Sequence, residues 1–113
     1  YDESEADCYI GRLFNTAVSD KQGSDLFIAG TYGAAGTSSS CSIYLNGVQV
    51  DDTDNENNPG NYVAMENLGA NLFVGRNDST YANATFGHSF YVQRTLTALE
   101  IAQLYSELIN QTY

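Results

Sequence analysis

Fourteen Asp and Glu against four Lys and Arg make carboxylates the side chains with the most chemistry to offer in this 113-residue chain. The densest run is Asp51-Asp-Thr-Asp-Asn-Glu-Asn-Asn58, where Asp51, Asp52, Asp54 and Glu56 supply the hard oxygen donors that calcium takes. These four form a candidate calcium set, and calcium is the one cofactor the sequence suggests. The run lacks the glycine and distal glutamate of an EF-hand loop, so a solvated turn is the stronger reading. The second acidic cluster, Asp2, Glu3, Glu5 and Asp7, reads as a solvated, frayed terminus. His88 is the only histidine, and no Ser or Cys at a recognisable spacing makes it a general base. The residues offer no catalytic constellation, so a non-enzymatic role is expected.

Cys8 and Cys41 are the only cysteines, and one intramolecular connectivity exists for them. A Cys8–Cys41 disulfide is expected, with two buried thiols as the competing reading. Three Asn-x-Ser/Thr sequons begin at Asn77, Asn83 and Asn110, each able to accept an N-glycan in a secretory pathway. Together with the low lysine content and the cysteine pair, they point to a secreted or cell-surface glycoprotein. A net charge of -10 repels phosphate backbones and anionic membranes, which makes nucleic acid an unsuitable partner. No apolar run approaches the roughly 20 residues that span a bilayer, and the chain opens at Tyr1 without a signal-like segment, so it is expected to be processed or part of something longer.

Sugar sites set an exposed aromatic face beside amides and carboxylates, and nine tyrosines leave that role open, with Tyr32, Tyr62 and Tyr81 as candidate glycan contacts. Most tyrosines in a sheet are simply half-buried strand residues.

The elements that must position these residues are mostly strands. Asn46-Gly47 between the alternating runs Cys41–Leu45 and Val48–Val50 predicts a two-residue type I′ hairpin. In that register Leu45 faces Val48 and Ile43 faces Val50. Cys41, Ile43, Leu45, Val48 and Val50 then share an apolar face directed at the core, with Ser42, Tyr44 and Gln49 opposite. Further strands are expected over Cys8–Phe14, Leu26–Tyr32, Leu72–Gly75 and the alternating Phe86–Val92, joined by polar loops. Thr97-Ala-Leu-Glu100 is a capping box, and Ile101, Leu104, Tyr105 and Leu108 recur at helical spacing behind it, predicting a short amphipathic C-terminal helix.

Four segments, in order, resemble the laminin-G-like and concanavalin-A-like lectin/glucanase jelly rolls: Phe27-Ile-Ala-Gly-Thr-Tyr32, Ile43-Tyr-Leu-Asn-Gly-Val48, Leu72-Phe-Val-Gly-Arg76 and Arg94-Thr-Leu-Thr-Ala-Leu-Glu-Ile-Ala-Gln-Leu-Tyr105. The resemblance spans about Leu26 to Leu108. It implies an all-β fold, an antiparallel β-sandwich closed by the short helix, over a single domain 1–113. It also implies glycan recognition in some members, calcium at the sandwich rim in others, and in the glucanases a Glu-x-Asp-x-x-Glu acid set that this chain does not contain. Only about 25 residues precede the first matching segment, where complete modules carry several strands, so the chain reads as the C-terminal part of such a module. Its sheet is therefore expected to lack cover. The function expected is a structural or adhesive building block of an extracellular assembly or filament, completed by other chains or copies of itself, with a carbohydrate-binding module as the alternative.

Overall fold

A computed structural model describes residues 8–33, 35–65, 73–77 and 79–111. Most of its regular structure is short antiparallel strand, with one C-terminal helix. Strands β1 (Arg12–Leu13), β2 (Ile28–Tyr32), β3 (Cys41–Leu45), β4 (Val48–Gln49), β5 (Thr53–Asp54), β6 (Arg76–Asn77) and β7 (Thr80–Tyr81) form a β1–β5 pair, a three-stranded β2–β3–β4 sheet and a β6–β7 ribbon. Helix α1 covers Ala98–Ile109.

The hairpin forms as its turn residues dictate. Asn46 and Gly47 both adopt positive φ, 50° and 78°, which a type I′ turn requires and which Asn and Gly tolerate best. Leu45 pairs with Val48, and the Val50 N–H donates to the Ile43 carbonyl at 2.9 Å, as the predicted register demands.

The buried face differs from the one expected. Ala29 pairs with Tyr44, so strand alternation sets Phe27, Ala29 and Tyr44 on one side of the sheet. The Phe27 ring lies 5.9 Å from that of Tyr105 in α1, which brings the helix over this side. Tyr44 is accordingly buried, together with Ile101 of the helix. The amphipathic helix chooses the face: it has its own apolar stripe to bury, and the small Ala29 leaves room for Tyr44. Gly47 makes close packing of turn and helix feasible, since a Cβ there would sit 3.1 to 3.2 Å from Tyr105 and Ala102.

The capping box is complete. Thr97 Oγ1 accepts from the Glu100 N–H at 3.2 Å and Glu100 Oε2 accepts from the Thr97 N–H at 2.8 Å.

Elsewhere the strands are shorter than predicted or displaced. The Cys8–Phe14 run contributes β1, an isolated Tyr9–Asn57 bridge and a bridge residue at Cys8. The third expected strand begins at Leu72, outside the described residues, while β6 starts just beyond it, at Arg76. Phe86–Val92 alternates in sequence but belongs to none of the strands. Phe86 instead lies over Gly75, where a Cβ would come within 2.3 Å of its ring.

Candidate interaction surface

The carboxylates proposed for calcium are spent on separate structural bonds. Asp51 is nearly inaccessible; its Oδ1 accepts from the Ile43 N–H at 2.9 Å and its Oδ2 from Arg12 Nε at 2.9 Å. Burial pushes the Asp51 carboxyl up, but the Ile43 N–H, Arg12 and Gln49 outweigh it and hold the group below the ordinary carboxylate range. Arg12 also pairs with Asp54. Asp52 accepts from the Asn15 N–H at 3.2 Å and from the Thr53 hydroxyl at 2.7 Å, while Glu56 accepts from the buried Ser38 hydroxyl. A guanidinium thus occupies the place between Asp51 and Asp54 that a cation would need. Among the described residues no group of three or more potential ligands is placed to hold a metal ion.

Both cysteines are in the thiol form. Cys8 is fully buried and its Sγ–H donates to the Asn58 carbonyl at 3.2 Å. Cys41 opens β3, where burial raises its thiol pKa and the Ser40 hydroxyl only partly offsets that.

Of the three tyrosines considered for sugar contact, two meet. The hydroxyls of Tyr32 and Tyr62 lie 3.2 Å apart, and the Tyr32 carbonyl accepts from the Thr95 hydroxyl at 2.6 Å. Tyr81 belongs to the β6–β7 ribbon, largely exposed, with the Arg76 guanidinium 5.5 Å from its ring centre and 4.6 Å from that of Phe73. Asn83 and Asn110 are exposed, Asn77 lies in β6, and Asn110 donates its side-chain amide to the Ser106 carbonyl at 2.6 Å at the helix end. His88 is also exposed.

The most conspicuous surface was predicted as core. Ile28 pairs with Leu45 and Leu45 with Val48, so these three side chains form one row across all three strands, on the face away from α1. Ile28 is 66% and Val48 65% exposed. Beside them a cleft of about 300 Å³ lies between the hairpin and the 14–26 loop, lined by Phe14, Val18, Leu26, Leu45 and Val50 among others. That loop supplies the cover seen on this side.

Arg94 is a residue that the sequence patterns left unread. Its guanidinium grips Glu100 through two bonds, Nη1 to Oε2 at 3.0 Å and Nη2 to Oε1 at 2.7 Å, and with the Thr97 bonds this lowers the Glu100 carboxyl to about 2. The signal was a basic residue three positions before a capping threonine.

Comparison with protein-family models, with known proteins and with solved structures finds no significant match. The functional argument therefore rests on the surface itself. No helix among the described residues is long and apolar enough to cross a membrane.

Proposed function

We propose that the chain is a secreted, N-glycosylated structural or adhesive module, an antiparallel jelly-roll sandwich of the laminin-G-like or concanavalin-A-like kind, acting as a building block of an extracellular assembly. Neighbouring chains or further copies cover its sheet face. The observation that carries this reading is the Ile28–Leu45–Val48 row, a half-buried Leu45 between the exposed Ile28 and Val48, an apolar stripe of the kind that a second sheet covers in a sandwich.

Burying what Ile28 and Val48 expose contributes about 1 to 2 kcal/mol each.

Sedimentation of the native glycosylated chain over a wide concentration range tests the reading. Oligomers or an obligate second chain are expected, and Ile28→Asp with Val48→Asp is expected to dissolve them while the circular dichroism stays unchanged. A monomer at every concentration, with saturable binding of a defined glycan, overturns it in favour of carbohydrate recognition.

A further inference from the structure

On the other side of the molecule, a second apolar surface carries a charge pattern that identifies what fits it. Helix α1 and the chain leading into it enclose an open groove of about 400 Å³, its apolar lining including Phe90, Val92, Leu96 and Leu104. Glu100 and Glu107 also line it. Phe90 is 52% and Val92 41% exposed, so the floor is open to solvent.

Charge selects the occupant. Each of the four basic side chains is already engaged: Arg12 with Asp51 and Asp54, Lys21 with Asp20, Arg94 with Glu100, and Arg76 against the rings of Phe73 and Tyr81. The groove's one cation, Arg94, is thus neutralised by Glu100, and no lysine or arginine pairs with Glu107. With Arg94 paired to Glu100, the charge this lining leaves for a partner is the Glu107 carboxylate, which a basic side chain complements.

We propose that this groove docks a cationic amphipathic segment of a different protein chain, its apolar side chains over Phe90, Val92 and Leu104 and its lysines or arginines toward Glu107. The inference rests on the building-block reading and names one partner class for it. The net charge steers a basic segment in, and the apolar floor holds it by an apolar stripe, as grooves hold amphipathic helices.

The test uses the full glycosylated chain and a fluorescein-labelled 14-residue Leu/Lys peptide with leucines on one helical face, with a Leu/Glu peptide of the same pattern as control. Fluorescence anisotropy is expected to show saturable binding of the Lys peptide that weakens at least tenfold between 0.05 and 0.5 M salt, and none of the Glu peptide. Phe90→Asp is the deciding variant because it makes the chain more acidic. Groove docking predicts at least a tenfold loss of affinity, whereas attraction to the general field predicts equal or tighter binding. Met65→Asp, at an exposed position that lines neither this groove nor the open sheet face, should bind as wild type does. Binding that survives Phe90→Asp, or equal binding of both peptides, overturns the inference. So does a chain that assembles in sedimentation yet ignores the Lys peptide, and that outcome leaves the building-block reading standing.

Discussion

Asn46 holds Phe27 twice: its Oδ1 accepts from the Phe27 N–H at 3.0 Å and its own N–H donates to the Phe27 carbonyl at 2.9 Å. One residue therefore closes the β3–β4 turn and extends the ladder to the residue whose ring meets Tyr105 in the helix. Asn46→Ala removes the acceptor and forces a Cβ residue with no polar side chain into positive φ. The expected cost is about 2 to 3 kcal/mol. Asn46→Gly keeps the backbone and should recover part of that. Gly47→Ala should be at least as costly as Asn46→Gly, since it combines positive φ with contacts near 3.1 Å to Tyr105. Urea unfolding of the three variants checks the order; an Asn46→Ala midpoint equal to wild type would show that the clamp contributes nothing.

Asp51 plays the same kind of part for the β1–β5 pair, joining Ile43 of β3 to Arg12 of β1. Asp51→Ala leaves a part-buried N–H and a guanidinium short of acceptors, and should destabilise by about 2 to 4 kcal/mol. Since Arg12 occupies the place between Asp51 and Asp54, millimolar calcium or a chelator should leave the melting temperature of wild type unchanged. A calcium-dependent rise that Asp52→Asn abolishes would establish the metal reading.

What could be read from sequence was local in sequence. The Asn46-Gly47 turn and the Thr97–Glu100 capping box each depend on residues within four positions, so their residue types determine their geometry. The Arg12–Asp51 pair joins residues 39 positions apart, and nothing in either segment announces the other. Tyr44 went to the wrong face for a related reason: alternation sorts side chains into two sets, but which set is buried depends on where α1 packs. Phe86–Val92 shows the same limit, because period-2 alternation supplies a pattern without a pairing partner.

The secreted reading makes a covalent prediction. Cys8 and Cys41 are thiols in this structure, and oxidation would require Cys8 to give up its bond to the Asn58 carbonyl. If the chain matures in an oxidising compartment, a non-reducing digest should yield one peptide pair joined through Cys8 and Cys41. Reduction should then cost about 3 to 4 kcal/mol of stability in the chain-entropy model. Quantitative alkylation of both cysteines in the denatured, unreduced protein would instead establish the thiol form and remove one support for secretion.

The Arg94–Glu100 pair gives the helix start a pH dependence of definite sign. Bonds from Arg94 first, then from the Thr97 N–H, lower the Glu100 carboxyl from 4.5 to about 2. A lowered folded-state pKa means that the unfolded chain takes up the proton more readily, so this stabilisation is present above about 4.5 and is lost as the pH falls toward 2. Glu100→Gln keeps an acceptor for the Thr97 N–H but cannot form the ion pair. Its melting temperature should lie below that of wild type at pH 6, and the gap should narrow between pH 4.5 and 2 and close below that. Added salt should also narrow the gap at pH 6, because the pair is at the surface, with side-chain exposures of 59% and 35%. Thermal melts of both proteins followed by circular dichroism at several pH values make the comparison. A gap that stays constant down to pH 2 would mean that the capping bonds, rather than the charge of Glu100, secure the helix.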